Sequence, residues 1–324
     1  MRILDPGLLT TVQDLGRFGF GKDGVSPSGA MDPDALRAAN LIVDGDQGAA
    51  GLEMTSRGPR IEFSRRALLS ICGADLCPQV AGVPLPCWRA IYVQEGAVLE
   101  LGTAHWGCRA YLAVAGGIEL PEVLRSRSTY LRAGIGGLGG RALRAGDELP
   151  VGGPSVSAKR AMWAAARGLG PFPFALAERF LRDPGRLYRP GDVRFVRGPH
   201  WDMMDEHDRK SFVGEAFEVS LKSDRMGYRL SGPALRSVQG AELISTAVLT
   251  GTVQVPPGGE PIVLMADRQT TGGYPMVAHV IRADLGTVAQ LEPGDPIRFR
   301  EVTIDEAQRA LREKETIFDE LRGV

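Results

Sequence analysis

The sequence is poor in cysteine and in aromatic residues, which limits the kinds of site it can build. Four cysteines occur among 324 residues, and phenylalanine, tryptophan and tyrosine together make up 6%. No two cysteines form a C-x-x-C pair, and no histidine lies at zinc-finger spacing from any of them. A cysteine-based zinc site is therefore excluded. We expect four reduced thiols with structural roles, as is usual in cytosolic proteins.

An excess of charge of either sign is also absent. Lysine and arginine number 38 and aspartate and glutamate 39, which leaves a formal charge of −1. Proteins that bind nucleic acids or membrane surfaces usually carry a clear basic excess. The charge balance therefore argues against both classes. Charged residues at 24% and apolar residues at 44% are typical of a folded globular protein.

Long hydrophobic runs and several well-known motifs are missing as well. No apolar run approaches the ~18 residues that cross a bilayer, and Asp5 and Pro6 come too early for a signal peptide. We therefore expect a cytoplasmic protein. There is no G-x-S-x-G elbow, no Walker A sequence and no metal-binding spacing among the four histidines. The sequence thus predicts no metal site, and another device would have to hold any ATP.

Glycine and proline, in contrast, are abundant and spread along the chain. The 42 glycines and 22 prolines amount to about a fifth of the residues, and such dispersed breakers punctuate short strands and turns. Short apolar runs bounded by glycine, proline or charge predict strands at 60–63, 67–72, 90–94, 97–101 and 108–115. The predicted fold class is therefore mainly β, with a few helices.

Three segments carry helix signals. Asp32 is a good N-cap and Pro33 suits the first helical position, so we expect a helix from there to Gly45. A second helix is expected over 201–212. A third begins at Thr303, where Thr303 and Glu306 fit a capping box. Its predicted apolar stripe consists of Ile304, Ala307, Leu311, Phe318 and Leu321.

A weak internal repeat indicates two related β-domains. The sequence S-I-C-G-A-D at 70–75 resembles V-L-M-A-D at 263–267, and a Gly-Asp turn follows in each half, at 146–147 and 294–295. At this length a division into about two domains is also the usual expectation. We predict a first β-domain over 1–150, a linker region over 151–190, a second β-domain over 191–300 and a C-terminal helix over 301–324.

The glycine-rich run at 134–140 contains G-x-G-x-x-G but does not predict a dinucleotide site. Such a loop must open a helix inside a βαβ unit. The six residues that follow it, up to Gly146, are too few for that helix. A flexible turn is the better interpretation.

Two other segments suit an anion. The sequence G-V-S-P-S-G-A-M-D at 24–32 places Ser26, Ser28 and Gly29 just before a helix N-terminus, where free N–H groups favour a carboxylate or phosphate. Ordinary capping would use the same residues. Arg225 and Arg229 lie four apart, so their guanidinium groups could clamp one anion together. A pair of surface salt bridges is the alternative.

The densest polar cluster of the chain follows the apolar run at 261–266. It places an acid, an arginine, an amide, two hydroxyls, a glycine pair and a tyrosine in consecutive positions. Loops at strand ends commonly carry functional groups on a rigid scaffold. The candidate site residues in this cluster are Asp267, Arg268, Gln269, Thr270, Thr271, Gly272, Gly273 and Tyr274.

These motifs together resemble the allophanate hydrolase subunit 2 family, also called the KipA or biotin-dependent carboxyltransferase family. Its bacterial members are mostly C subunits of 5-oxoprolinase. The resemblance spans about residues 2–300, and one departure is Arg125, where the family usually has glycine. The matching segments are 13–17, 24–32, 39–40, 71–75, 109–118, 126–129, 146–147, 197–199, 223–230, 251–256, 267–275 and 290–295.

The resemblance implies two cyclophilin-like β-barrel domains and a role in a complex with the A and B subunits of 5-oxoprolinase, the latter KipI-like. The implied reaction is the ATP-dependent opening of the 5-oxoproline lactam to glutamate, with ATP bound together with Mg. Phosphorylation of the amide oxygen would create a leaving group, and the predicted catalytic residues Arg225, Arg229 and Asp267 would serve this chemistry. The remaining candidates would bind substrate or nucleotide.

Two alternatives remain open within the family. The first is a biotin-dependent carboxyltransferase that acts on a urea-like substrate. Since no biotinylated-lysine sequence such as A-M-K-M is present, biotin would have to arrive on another chain. The second alternative is a KipA-type regulator that is not an enzyme and binds a KipI-like partner. An exposed apolar surface should mark the partner site under any of the three.

Overall fold

The computed structural model describes residues 1–189, 191–236, 238 and 243–323, which form two compact units. Unit 1 consists of Met1–Arg17, Asp32–Pro184 and Ile317–Val324, and unit 2 consists of Phe18–Met31 and Gly185–Thr316. Strand makes up 30% of the chain and helix 21%. The predicted mainly β fold class is therefore confirmed.

Unit 1 is built from eleven described strands in two antiparallel sheets. The five-stranded sheet has the order β1-β4-β9-β6-β7, and the six-stranded sheet has the order β11-β8-β5-β10-β3-β2. The strands are β1 (Arg2–Asp5), β2 (Leu9–Gln13), β3 (Gly51–Thr55), β4 (Arg60–Glu62), β5 (Ala67–Asp75), β6 (Gln79–Val80), β7 (Val83–Pro84), β8 (Arg89–Val93), β9 (Val98–Glu100), β10 (Trp106–Val114) and β11 (Phe174–Phe180).

The apolar runs identified in the sequence supply the core of unit 1. All five predicted strands are present, as β4, β5, β8, β9 and β10. Strand β5 is buried along almost its whole length and pairs with β10 on one side and β8 on the other. Its Leu69 and Ile71 belong to one apolar cluster with side chains of the five-stranded sheet. Burial of this apolar surface is the main stabilising contribution.

The segment predicted as a linker, 151–190, contributes regular structure to unit 1. It contains the helix Val156–Arg167, and its strand β11 pairs with β8 in antiparallel register. Leu176 pairs with Ile91 and Phe174 with Val93. The segment therefore adds an edge strand to the sheet, and its backbone N–H and C=O groups pair with those that β8 would otherwise leave open.

Unit 2 contains one eight-stranded sheet that is nearly closed into a barrel. Its strand order is β20-β13-β14-β17-β16-β19-β12-β21, and a separate two-stranded sheet joins β15 to β18. The strands are β12 (Val193–Arg197), β13 (Phe217–Val219), β14 (Gly227–Ser231), β15 (Thr246–Ala247), β16 (Thr252–Gln254), β17 (Ile262–Leu264), β18 (Thr271–Gly272), β19 (Met276–Val280), β20 (Pro296–Ile297) and β21 (Phe299–Glu301).

An aromatic cluster fills the core of unit 2. Phe212 stacks on Phe299 with ring centroids 4.6 Å apart, and Phe195 meets Phe212 edge to face at 5.2 Å. Trp201 and Phe217 pack against the same group. Such pairs add to the energy of apolar burial through their favourable ring geometry. A chain with few aromatic residues thus concentrates five of them at one point.

The helices are α1 (Pro33–Ile42), α2 (Val156–Arg167), α3 (Glu206–Gly214), α4 (Leu285–Ala289) and α5 (Ile304–Arg322). Short 3₁₀ helices lie at Gly21–Asp23, Pro184–Leu187, Trp201–Met203 and Arg282–Asp284.

The predicted starts of the first helix, α1, and the last helix, α5, are confirmed. The side chain of Asp32 accepts a 3.1 Å hydrogen bond from the backbone N–H of Ala35, and Pro33 is the first helical residue. At α5 the backbone N–H of Thr303 donates to Glu306 at 2.8 Å, and the N–H of Glu306 donates back to Thr303 Oγ1 at 3.2 Å. Both devices satisfy amides that a helix end leaves without intrahelical partners.

Two helix predictions need correction. The helix expected over 201–212 is broken, because Asp205 accepts a 2.8 Å bond from the N–H of Asp208 and so starts a new helix, α3. The predicted stripe of α5 is wrong at Ile304, which is 65% exposed. This residue stands in the first turn, and the buried side chains begin at Ala310.

The glycine-rich run at 134–140 closes around the motif S-R-S-T in unit 1. Asp14 accepts hydrogen bonds from the hydroxyls of Ser126 and Ser128 and, at 2.6 Å, from the backbone N–H of Arg127. Gly136 has φ +70°, and a Cβ there would lie 2.0 Å from the carbonyl oxygen of Ser128. Glycine is therefore required by close packing, and the run shapes the fold of unit 1.

Candidate functional site

Two of the predicted anion-binding segments meet directly in unit 2. The hydroxyl of Ser28 donates a 2.7 Å hydrogen bond to Oδ1 of Asp267. The hydroxyl of Ser26 reaches the carbonyl oxygen of Ala266 at 3.4 Å and accepts the N–H of Ser28 at 3.3 Å. All of these side chains are buried. The loop groups with unit 2, whereas the predicted boundaries assigned it to the first domain, because these bonds hold it at the end of β17.

Arg225 completes this cluster through a buried ion pair. Its Nε lies 2.9 Å from Oδ2 of Asp267 and its Nη2 lies 3.0 Å from Oδ1, so the pair is bidentate. Nη2 also donates to the carbonyl oxygen of Gly29 at 2.6 Å. Both carboxylate oxygens of Asp267 are thus engaged by Arg225 and Ser28. The geometry fits a clasp that fixes the loop, and any catalytic role of Arg225 and Asp267 stays a prediction.

The backbone of the loop is constrained at the same place. Ser28 has φ +53° and Gly29 has φ +90°. A non-glycine residue in the left-handed region is strained and persists where its surroundings fix it. Here the hydrogen bond to Asp267 does so. The serine that the sequence singled out is therefore held by two hydrogen bonds, from its hydroxyl to Asp267 and from its N–H to the hydroxyl of Ser26.

Arg229 does not join the other predicted residues. It lies on β14, where it pairs with Ile262 of β17, and its side chain is exposed. Arg225 precedes the strand and is 7% exposed. Since the two arginines occupy such different environments, the structure does not bring them into one clamp. A binding role for Arg229 stays a prediction.

The rest of the polar loop is organised by a residue that the sequence analysis did not select. Gln254 of β16 is 1% exposed, accepts a 3.2 Å bond from the side-chain amide of Gln269 and donates to the carbonyl oxygen of Tyr274 at 3.4 Å. A Cβ on Gly272 would lie 2.6 Å from Nε2 of Gln254. A glutamine inside the apolar run T-V-Q-V-P was the signal that could have revealed it.

The loop also forms a short ladder of its own. Thr271 and Gly272 form β18 and pair with β15, and the carbonyl oxygen of Thr270 accepts the N–H of Val248 at 3.1 Å. Gly273 lies beside Leu243, and a Cβ on Gly273 would come within 3.1 Å of the carbonyl oxygen of Leu243. Thr271 and Tyr274 are exposed, the latter at 46%. Hydroxyl and phenol groups therefore face solvent over a buried amide network.

A histidine lies on the neighbouring strand. His279 of β19 pairs with Thr252 of β16, and its Nδ1 lies 3.1 Å from the threonine hydroxyl. The N–H of Leu249 donates to the same hydroxyl at 3.1 Å. Burial lowers the pKa of His279 below its usual value near 6.5. The imidazole is therefore neutral at pH 7, in the form that donates one hydrogen bond and accepts another.

No group of three or more histidine, cysteine, aspartate or glutamate side chains in the described part of the chain could hold a metal ion. Over the same residues, no helix is both long and apolar enough to span a membrane.

Three comparisons place this geometry among known proteins. The chain is 38% identical to the C subunit of 5-oxoprolinase from Escherichia coli (strain K12), over 99% of this chain and 97% of that protein. It superposes on the K. lactis urea amidolyase crystal structure with a TM-score of 0.85 at 28% identity, covering 99% of this chain and 20% of that one. The TTHA0988 crystal structure gives 0.78 at 32% identity, with 92% and 54% covered.

The chain thus spans a fifth of one of these solved chains and about half of the other. Residues 23–301 match the model of the carboxyltransferase domain, subdomain A and B. The resemblance identified from the sequence motifs is confirmed, and this chain belongs to the carboxyltransferase domain, subdomain A and B, family.

Proposed function

We propose that this chain is the C subunit of a 5-oxoprolinase, a complex that opens the lactam of 5-oxoproline to L-glutamate with ATP. The observation that carries the proposal is the 38% identity to a C subunit of 5-oxoprolinase over nearly the full length of both chains. A match of that extent includes every segment that holds a candidate site residue. The complex would act in the cytoplasm.

The partners would be the A and B subunits of that complex, and the B subunit would be KipI-like. The solved TTHA0988 chain is longer than this one, and the matched region takes up 54% of it. In that longer chain, the matched region is joined to further sequence, which is consistent with partner subunits for this chain. The two units would be cyclophilin-like barrels, in keeping with the nearly closed eight-stranded sheet of unit 2.

The residues of unit 2 have the right chemistry for a small polar lactam. Gln269 and Thr270 offer amide and hydroxyl groups, and the exposed Thr271 and Tyr274 can donate to a carbonyl or carboxylate oxygen. Arg268 supplies positive charge within the same loop. These groups would bind and orient the substrate, and ATP with Mg would supply the phosphoryl group that activates the amide oxygen.

Reconstitution tests the proposal. The chain is expressed alone and together with the A and B subunits from the same genome, and glutamate release from 5-oxoproline is measured with and without ATP. We expect turnover only in the complete mixture with ATP, because the activity belongs to the assembly. Full activity of the purified single chain, or none in the complete mixture, would refute the proposal.

A second candidate is carboxyl transfer from biotin to a urea-like nitrogen. The superposition on urea amidolyase with a TM-score of 0.85 favours it. The reaction would need carboxybiotin delivered by another chain. Incubation with a separately carboxylated biotin carrier and urea, followed by assay of carboxyl loss from the carrier, distinguishes the two functions, since 5-oxoprolinase activity requires no biotin.

A further inference from the structure

We infer that Arg268 is an anion-binding residue of unit 2, and that its guanidinium is the part of the polar loop that recognises an oxyanion of the ligand. The existence of this site rests on the geometry below. The identity of the anion, the carboxylate of 5-oxoproline or a phosphoryl group of the nucleotide, rests on the proposed function.

Arg268 is a buried cation with very little to neutralise it. The residue is 9% exposed, and no carboxylate in the described part of the chain lies within 4.0 Å of its guanidinium. Among the described residues, its one side-chain hydrogen bond is a long one, from Nη1 to the carbonyl oxygen of Gln269 at 3.3 Å. Its Nε is fully enclosed and has no hydrogen-bond partner among the described residues.

The neighbouring arginine makes the contrast clear. Arg225, at 7% exposure, is paired with both oxygens of Asp267 and with a backbone carbonyl. Asp267, the sequence neighbour of Arg268, is thus used by Arg225 and Ser28. Of the three buried arginines among the described residues of unit 2, Arg194 is paired with Asp284 and Arg225 with Asp267, whereas Arg268 has no such carboxylate partner.

A buried charge without a counter-ion is costly, because burial removes the hydration of the charged form. Burial accordingly lowers the pKa of Arg268 below its usual value. An arginine cannot escape the penalty by losing its proton near neutral pH. Such an arrangement persists where a ligand supplies the missing negative charge. Guanidinium groups prefer planar carboxylates and phosphates, which accept two parallel hydrogen bonds.

The rest of the polar loop carries no negative charge that would compete with an anion. Gly272 and Gly273 follow within the same loop, and the short ladder between β15 and β18 leaves their backbone close to Gln254 and Leu243. No acidic side chain occurs between Arg268 and Tyr274. The segment therefore offers hydroxyl, amide and guanidinium groups without a competing carboxylate.

The test uses the full chain and measures its melting temperature. Wild type, Arg268→Met and Arg268→Lys are each titrated with 5-oxoproline, with 2-pyrrolidinone, which is the same ring without the carboxylate, and with inorganic phosphate, at constant ionic strength set by chloride. Arg300→Met removes an exposed arginine of the same unit and is the matched control.

We expect 5-oxoproline or phosphate, and not 2-pyrrolidinone, to raise the melting temperature of wild type and of Arg300→Met by about 2–4 °C at saturating concentration. A shift with 5-oxoproline identifies a carboxylate site, and a shift with phosphate alone identifies a phosphoryl site. Arg268→Met should lose the shift and, without ligand, melt no lower than wild type, since it removes an unpaired buried charge. Arg268→Lys should keep a reduced shift.

Other outcomes overturn the inference. If neither anion shifts wild type, the free chain has no such site. If Arg268→Met retains the shift, the anion binds elsewhere. If Arg268→Met melts several degrees lower without ligand, or fails to fold, the guanidinium stabilises the fold and its role is structural. Failure of the proposed function alone would leave the phosphate response intact.

Discussion

At the scale of single residues, the buried arginines Arg225 and Arg268 of unit 2 differ in their partners, and the difference leads to opposite predictions for them. Arg225 is held by Asp267 in a bidentate pair, and both side chains are less than 10% exposed. Removal of one member of such a pair leaves the other charged and buried. Arg268 has no carboxylate partner among the described residues, so its replacement by an apolar residue should not destabilise the chain. Sequence spacing alone had grouped Arg225 with Arg229 instead.

Arg225→Met should therefore destabilise the chain by about 3–5 kcal/mol, because it leaves Asp267 buried without its counter-charge. Urea unfolding measures the loss. Arg229→Met is the matched control and should change the unfolding free energy by less than about 0.5 kcal/mol, since that side chain is exposed. The double variant Arg225→Met with Asp267→Leu should recover much of the loss. A stable but inactive Arg225→Met would instead indicate a catalytic arginine.

The turn at Leu124 and Arg125 offers a second prediction at this scale. Both residues have positive φ, +54° and +61°, and Val123 and Ser126 exchange backbone hydrogen bonds across them. Two consecutive left-handed residues define a type I′ turn, which favours glycine. This explains why glycine is usual in the family at the position of Arg125.

Arg125→Gly should stabilise the chain by about 0.5–1 kcal/mol, since relief of the left-handed strain outweighs the greater freedom of glycine when unfolded. Thermal unfolding measures the gain. Arg144→Gly, at a position without positive φ, should destabilise slightly. Equal effects of both changes would show that the turn conformation is not the cause.

At the scale of elements, the start of α1 is tied to the sheet of unit 1. Asp32 caps the helix through Ala35, and its backbone N–H donates to the hydroxyl of Tyr111 at 2.8 Å. That hydroxyl donates to Glu53 at 2.8 Å. Burial, together with Glu53 and Asp32, raises the pKa of Tyr111, so the phenol stays protonated and keeps both bonds at neutral pH.

Asp32→Ala should lower the unfolding free energy by about 1–2 kcal/mol, because it removes the N-cap, and should leave activity of the complex nearly unchanged. Ser28→Ala should do the reverse, with a smaller change in melting temperature and a larger loss of turnover. Paired measurements of melting temperature and activity check both. If Asp32→Ala abolished turnover at an unchanged melting temperature, Asp32 would belong to the site.

At the scale of the whole molecule, a surface on unit 1 is suited to another protein of the complex. Strand β11 is the edge of the six-stranded sheet, and Leu176 and Phe180 on it are each 43% exposed. Trp163 of helix α2 is 67% exposed. Edge strands with exposed apolar side chains are prone to pair with another chain.

Leu176→Lys should therefore weaken assembly with the other proteins of the 5-oxoprolinase complex by at least tenfold in dissociation constant, while the isolated chain keeps its melting temperature. Co-purification and analytical ultracentrifugation of the mixture measure this. Glu178→Gln changes an exposed polar residue on the same strand and should leave assembly intact. Unimpaired assembly of Leu176→Lys would place the partner surface elsewhere.

The sequence by itself determined the features that depend on neighbours in the chain. Short apolar runs bounded by glycine, proline or charge located five of the eleven described strands of unit 1. Asp32-Pro33 and Thr303 to Glu306 located two helix starts, because caps act within one turn. Motif order along the chain determined the family. Periodicity could also mislead, as at Ile304, since it does not report what a helix packs against.

Only the tertiary structure decided which polar residues share a site. Ser28 and Asp267 are 239 positions apart and form a hydrogen bond, whereas Arg225 and Arg229 are four apart and do not meet in one clamp. Gln254 was invisible as a site residue because its importance lies in contacts from another strand. Whether a buried charge is paired depends on burial and distance, and neither quantity is encoded in local spacing.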